Sequence, residues 1–249
     1  MKETNRLQQV APYSVLASIY DHVMSHVNYA MWANYIKALF KLAGRRISVI
    51  ADLSCGTGSL LPHLRGYRRK ALGFDLSLPM LKTANRKSSA RHLICADFRQ
   101  LPVKTHSLDA ALALYDSVNY LHADRDALCF FNECYRTLRP GGLLIFDIVT
   151  PYLCKTAFKE YQESAVINEN LRYDRFSFFD ENENLQINQF KIWVNGQCYY
   201  EEHRQKIREV KEWILLIKQT NFKLLEIFSN FSMKPVMETS DRAHFVLRR

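Results

Sequence analysis

The chain has 249 residues, 48% of them hydrophobic, enough to bury the core of one large α/β domain. No apolar run approaches the ~20 residues of a membrane-spanning helix, and the polar stretch Met1 to Val10 lacks the apolar segment of a signal peptide. The six cysteines, at 55, 95, 129, 134, 154 and 198, form no CxxC pair, so the reading is a cytoplasmic protein without disulfides or metal.

A net charge of +9 admits nucleic acid or an acidic small molecule as partner. The basic residues include Lys37, Lys41, Arg45, Arg46, Arg65, Arg68, Arg69, Lys70, Lys82, Arg86, Lys87 and Arg91. They are spread through helices and loops, with no arginine-rich tail, and read as solvated faces with a basic bias.

Tyr13 to Lys41 is predicted as two helical pieces. Leu16, Ile19, Tyr20 and Val23 recur at helical spacing, as do Trp32, Tyr35, Ile36, Leu39 and Phe40. Gly44 is placed to end the second. Tyr13, Tyr20, Tyr29 and Trp32 make this segment unusually aromatic. A buried strand, Ile47–Leu53, then runs into Ser54-Cys55-Gly56-Thr57-Gly58, a tight turn before a helix beginning at Leu60. Glycines there tolerate positive φ and let a ligand approach the backbone. A dinucleotide fingerprint would need a third glycine where Leu61 stands.

Strands at Ala71–Asp75, His92–Ala96, Asp109–Leu114 and Leu143–Val149 alternate with helices at Pro79–Arg86 and Asp124–Leu138, the last closed by Arg139-Pro140-Gly141-Gly142. This alternation predicts a doubly wound parallel sheet. Ligands bind such sheets beyond the carboxyl ends of the strands. Those ends carry Asp75, then Asp97-Phe98, then Tyr115-Asp116-Ser117-Val118-Asn119-Tyr120-Leu121, then Asp147. The polar and aromatic loop 115–121 is a poor core and a good active-site loop. Asp147 either faces substrate or caps its strand. After Tyr152 the alternation stops. Phe176–Phe179, Gln186–Val194 and Gln197–Arg204 are predicted as three antiparallel strands, with a hairpin turn at Asn195-Gly196. A helix at Glu209–Thr220 and a closing hairpin, Leu224–Phe228 with His244–Leu247, complete the chain.

Asp52, Cys55, Gly56, Thr57 and Gly58 resemble motif I of the class I S-adenosylmethionine (SAM) methyltransferases, D-x-G/A/S-C-G-T-G, with Ser54 in the small-residue position. Gly73-Phe74-Asp75-Leu76-Ser77 is similar to that family's G-x-D-x-S. Loop 115–121 resembles the D-S-x-N-Y-L signature of a small bacterial group, related to glycine and aminosugar N-methyltransferases that carry His in place of Tyr120. Glu201-Glu202-His203-Arg204-Gln205 resembles the E-x-H-x-Q run of the same family.

The resemblance covers nearly the whole chain. It implies a Rossmann-like, seven-stranded α/β sheet in a single domain spanning 1–249. Residues 1–44 would form a helical cover, 45–151 and 209–249 the SAM-binding core, and 152–208 an antiparallel β lid after strand five. It implies SAM contacts from Asp52, Ser54, Gly56, Gly58, Tyr115 and the cover residues Tyr13, Tyr20 and Trp32. Asp75 and Leu76 fall at the ribose, where a carboxylate can accept both hydroxyls, and Asp97 and Phe98 at the adenine.

Methyl transfer from a sulfonium is an in-line displacement, so orientation alone can suffice for an amine acceptor. If a base acts, the candidates are Tyr120, Asp116 and His203, with His122 and Glu202 behind them. A phenol is a weaker base than imidazole. The residues expected around the acceptor are Asp116, Ser117, Asn119, Tyr120, Asp147, Tyr199, Tyr200, Glu202 and His203. Three are acidic and none is Lys or Arg, which favours an amine-bearing small molecule. The expected function is methyl transfer to N or O of a small acceptor. The alternatives are an RNA methyltransferase, on the +9 charge, or a SAM-binding protein without transfer. The acceptor and the oligomeric state stay open.

Overall fold

The computed structural model describes residues 7–65, 70–87 and 92–249. Arg68, Arg69 and Arg91, among the basic residues above, lie outside the described residues.

The first element is a two-residue strand, β1 (Gln8–Gln9), then a 3-10 turn, Leu16–Ser18, and helices α1 (Tyr20–Val23) and α2 (Tyr29–Leu42). Asn28 caps α2 by accepting a bond from the Met31 amide. The α/β unit follows: β2 (Val49–Asp52), α3 (Leu61–Leu64), β3 (Lys70–Asp75), α4 (Leu78–Arg86), β4 (Leu93–Cys95), β5 (Leu108–Ala113), α5 (Asp124–Thr137) and β6 (Leu138–Val149). After α6 (Pro151–Thr156) come four long strands, β7 (Glu160–Asn168), β8 (Leu171–Asp180), β9 (Leu185–Val194) and β10 (Gln197–Lys206). Helix α7 (Val210–Ile217) and strands β11 (Lys223–Ser229) and β12 (Arg242–Arg248) end the fold.

The core sheet has seven strands in the order β11-β12-β6-β5-β2-β3-β4. β12 is antiparallel to both neighbours, and β6 through β4 are parallel. Successive side chains alternate faces, so each central strand feeds two cores. Ala51, Ala111, Phe146 and Phe245 pack with Phe130, Phe131 and Trp213 of α5 and α7. Ile50, Leu112 and Ile145 pack with Trp32, Leu39 and Leu61 of α2 and α3 on the other face. Strands covered on both sides must be apolar throughout, which is why these runs were legible.

Two expectations change. The expected fifth strand starts five residues earlier, at Leu138, where α5 ends. Its pairing with β5 jumps from Leu138 opposite Leu108 to Leu143 opposite Ala110, so Arg139–Gly142 bulges out of the ladder instead of closing the helix. The inserted sheet has five strands, ordered β1-β10-β9-β8-β7, not three. In β7 four of the five residues that face outward, Glu160, Gln162, Ser164 and Asn168, are weak strand formers, Val166 being the fifth. β1 joins as a parallel partner of β10, through Gln8 opposite Tyr199, so the N-terminal segment is not wholly helical. The Asn195-Gly196 turn stands as expected, with both residues at positive φ, 49° and 83°. Leu16, Ile19, Val23 and Met24 pack onto Tyr173, Phe190 and Ile192 of the inserted sheet. Among the described residues no helix is long and apolar enough to cross a membrane.

Candidate active site

A cleft opens at the carboxyl ends of β2 and β5. It is lined by Tyr20, Tyr29, Trp32, Asp52, Ser54, Cys55, Gly56, Thr57, Ser59, Leu60, Leu114 and Tyr115, so six of the expected cofactor residues meet there. Gly56 has φ +55°, and a Cβ at that position would sit 3.8 Å from the Tyr20 ring. Gly58, with φ 75°, shapes the turn from behind by donating its N–H to the Cys55 carbonyl. The Asp75 carboxylate, at the end of β3, accepts N–H bonds from Gly56 and Ser77, each 2.8 Å. A carboxylate has about four acceptor sites, so Asp75 keeps room for a ligand. Asp52 is buried, and among the described residues its carboxylate's one hydrogen bond is a long 3.4 Å contact from the Ser54 amide. Burial pushes its carboxyl up to about 7.

The N-terminal segment sits over this turn. Thr57 donates to Asp21 of α1 at 2.6 Å, and Asp21 pairs with Lys87. Ser77 donates to the Tyr13 carbonyl at 3.0 Å. Trp32 lies with its ring centroid 5.6 Å from that of Tyr115.

The loop after β5 is held in a strained shape. Tyr115 and Asp116 both have positive φ, 61° and 54°. Such a backbone costs roughly 1–3 kcal/mol per residue and persists only when its surroundings fix it. Asp147 does this by accepting the amides of Tyr115 at 2.6 Å and Asp116 at 3.3 Å. Arg242, on the neighbouring β12, bridges Asp147 at 2.5 Å and Asp116 at 2.6 Å and lies over the Tyr115 ring. Gln205 donates to the other Asp116 oxygen at 2.5 Å. Asp147 therefore braces the loop and is wholly buried. Asp116, buried between a guanidinium and an amide, is likewise placed as a brace, which corrects the expectation of a free base. Burial raises both carboxyls despite the arginine.

Two other candidates do converge. Tyr13 Oη is 2.8 Å from Tyr120 Oη, which is 3.0 Å from His203 Nδ1. His203 Nε2 is 3.4 Å from Glu201 Oε2. Nε2 makes no hydrogen bond to that carboxylate or to any other described group; with its proton placed on Nε2, His203 keeps Nδ1 as the acceptor for the Tyr120 hydroxyl, an assignment made from the neighbours. Glu201 is fully buried and also accepts the backbone amides of Tyr13, Val15 and Leu16, at 2.7, 2.5 and 2.8 Å. Residues 201, 203 and 205 of β10 share one face. They hold in turn the N-terminal segment, Tyr120 and Asp116.

Leu76 and the expected adenine contacts, Asp97 and Phe98, stand apart from the cleft lining. Leu76 is 70% exposed at the end of β3. Phe98 packs on Phe130. Asp97 is clamped by Arg99, 2.6 Å at the closest, and these bonds outweigh burial and hold its carboxyl below its usual value. Glu202 lies on the opposite face of β10 from His203, bonded to Gln189 and Tyr200. His122 bonds the Arg204 carbonyl and is exposed. The acidic surface expected around the acceptor therefore dissolves: two of its three carboxylates are buried and share Arg242, and the third faces away. Glu201, Gln205, Arg242 and Tyr29 were not singled out as site residues; the signal for the first two was the i, i+2, i+4 spacing of Glu201, His203 and Gln205.

A doubly wound sheet with a reversed β12, and a glycine turn facing a carboxylate across the first two strands, defines a Rossmann-like methyltransferase. A methyltransferase-domain family matches residues 51–146. A putative methyltransferase from Bacillus subtilis, YqeM, is 31% identical over 94% of this chain and 95% of its own. A malonyl-[acyl-carrier protein] O-methyltransferase from Salmonella typhimurium is 29% identical over 66% of this chain and 61% of its own. A SAM-dependent methyltransferase structure from Clostridium acetobutylicum superposes with a TM-score of 0.80 at 23% identity, covering 95% of this chain and 98% of that one. The chain belongs to the SAM-dependent methyltransferases, and its cofactor is S-adenosyl-L-methionine.

Arg242→Met leaves Asp116 and Asp147 buried without their countercharge. Breaking such a group costs about 3–5 kcal/mol near neutral pH. The orphaned carboxyls gain protons in the folded state above their unfolded pKa of ~3.9, so the variant regains stability as pH falls. Urea unfolding should show a deficit that is larger at pH 8 than at pH 5; an equal deficit at both would contradict the assignment.

Proposed function

We propose that the chain methylates nitrogen or oxygen of a small acceptor held between the cofactor cleft and the inner face of the inserted sheet, which acts as a lid. The observation that carries this reading is the Tyr13–Tyr120–His203 network, which joins the N-terminal segment, the loop after β5 and β10 at one point. A protein that only binds SAM has no need of such a buried phenol–imidazole pair. The 115–121 loop is the basis for placing the chain beside the aminosugar and glycine N-methyltransferases. The free cysteines support cytoplasmic residence.

The cleft fits SAM. Asp75 has acceptor sites left for the ribose hydroxyls, and Gly56 and Gly58 keep the turn open to a ligand. Asp52, Ser54, Tyr20, Trp32 and Tyr115 surround the amino-acid end. The half-bonded Asp52 carboxylate suits a cationic group. Leu76 and Phe98 offer apolar surface for the adenine, with Asp97 sharing its carboxylate between Arg99 and the ring. When bound, SAM supplies an electrophilic methyl group. Tyr13, braced by Glu201, positions the Tyr120 hydroxyl. An acceptor X–H gives its proton to Tyr120 Oη while Tyr120 passes its own to His203 Nδ1, forming an imidazolium that faces Glu201. The phenol thus relays a proton to a stronger base, which answers the objection that burial makes Tyr120 itself a poor anion, its pKa being raised well beyond the usual 10.

The +9 charge supports an RNA substrate less well. Lys37 and Lys41 lie on α2 and Lys82 and Arg86 on α4, and none of them lines the cofactor cleft.

Calorimetry should show Asp75→Ala weakening SAM by ~2–3 kcal/mol, the loss of charge-assisted hydrogen bonds. Wild-type affinity should fall from pH 8 to pH 6 as Asp52 gains a proton, a dependence that Asp52→Asn flattens. Unchanged SAM affinity in Asp75→Ala would refute the cofactor assignment.

With radioactive SAM, label should enter a small molecule from a mixed pool of amines, amino acids, sugars and acids. Tyr120→Phe and His203→Ala should each slow transfer by roughly 10²–10⁴. Salt-sensitive binding of bulk RNA, with label in the RNA, would overturn the small-molecule reading.

A further inference from the structure

The inner face of the inserted sheet holds one cation that the proton relay does not use. Alternation along β7 to β10 puts Glu163, Tyr173, Arg175, Ser177, Asn188, Phe190, Glu201 and His203 on the face turned toward the N-terminal segment and loop 115–121. Arg175 is the one Lys or Arg on that face of the four strands. Its side chain is 20% exposed. Nε donates to Ser177 at 3.0 Å and one Nη2 hydrogen to Asn188 Oδ1 at 2.8 Å. Nη1 approaches Glu163 no closer than 3.8 Å, beyond hydrogen-bond range, and Glu163 is already taken by the Tyr173 and Tyr161 hydroxyls. A guanidinium has five donors in a fixed fork. Two are used here, so the pair of N–H groups that would face an anion side by side stays open, one on Nη2 and one on Nη1.

The surroundings select what fills that fork. The rings of Phe158, Tyr161 and Phe190 lie 5.4 to 5.8 Å from the guanidinium carbon. Phe190 also lies edge-on to His203, at 5.6 Å between centroids, so Arg175 and the relay flank one phenylalanine. Burial dominates the raised pKa of Tyr120, and the Arg175 charge acts on that phenol in the opposite direction, which places the two groups in electrostatic reach.

We infer that Arg175 anchors a carboxylate of the methyl acceptor, held by the two open N–H groups while the nucleophilic atom of the same molecule meets Tyr120. The inference rests on the small-molecule reading above and narrows it to acids of compact size. A planar carboxylate matches the fork. A phosphate dianion does not, because Glu163 offsets part of the single positive charge and no second cation shares the face. The acidic residues expected from sequence favoured an amine; the folded arrangement adds a carboxylate to whatever group is methylated.

The test uses the full chain loaded with S-adenosylhomocysteine and NMR titration with benzoate, phenylacetate and 3-hydroxybutyrate, each beside its primary amide, and with phenyl phosphate. At least one acid should bind saturably and at least ten-fold tighter than its amide. That preference should vanish in Arg175→Gln and fall partway in Arg175→Lys, with S-adenosylhomocysteine affinity unchanged in both. Equal binding of acids and amides, acid binding that survives Arg175→Gln, or a preference for phenyl phosphate would each overturn the assignment. If the wild type binds acids through Arg175 yet not S-adenosylhomocysteine, the anion site stands and the cofactor reading falls.

Discussion

The carboxylate of Glu201 is fully buried, and three backbone amides from a segment 185 or more residues earlier in the chain take the place of solvation. Hydrogen bonds to a charged group contribute about 1.5–3 kcal/mol each, and leaving such a charge unpaired in the interior would cost far more. The N-terminal segment is therefore pinned to β10 by an electrostatic demand as well as by the contacts of Leu16 and Ile19 with the inserted sheet. That pinning fixes Tyr13. Its hydroxyl reaches Tyr120 and its carbonyl receives Ser77, so one residue touches both the relay and the strand end that carries Asp75. The face of β10 that holds Glu201 also presents His203 to Tyr120 and Gln205 to Asp116. One strand in one register sets the geometry of three otherwise separate pieces.

The loop after β5 depends on a second buried charge group. Two consecutive left-handed residues, neither of them glycine, are tolerated because Asp147 takes both amides and Arg242 pairs with it. The strain turns Tyr115 into the cofactor cleft and starts a short 3-10 turn, Ser117–Tyr120, whose last residue meets His203. A brace of this kind explains why acidic residues cluster at the strand ends without making the surface acidic.

Much of the core was legible because strands buried on both faces must be continuously apolar, as Ile47–Leu53 and Asp109–Leu114 nearly are. The functional strand ends followed from topology alone. What sequence could not show was pairing across distance. Tyr120 and His203 were each candidates, but nothing in a linear reading joins residues 83 apart. Asp116 and Asp147 were counted as acceptor-facing charges because Arg242, 95 residues beyond Asp147, read as an ordinary residue near the closing hairpin. β7 escaped notice because its solvent side carries Glu, Gln and Ser, which blur the alternation. β1 escaped because two residues give no period at all.

The account turns on Glu201 as the link between the N-terminal segment and β10, and hydrogen exchange tests this directly. Glu201→Gln replaces a carboxylate that accepts three amides with one oxygen and an NH₂ that repels them. The amides of Tyr13, Val15 and Leu16 should exchange at least ten-fold faster in this variant, while those of β5 and β6 keep their wild-type rates. Unchanged exchange at Tyr13, Val15 and Leu16 would contradict the account, as would acceleration spread evenly through the core.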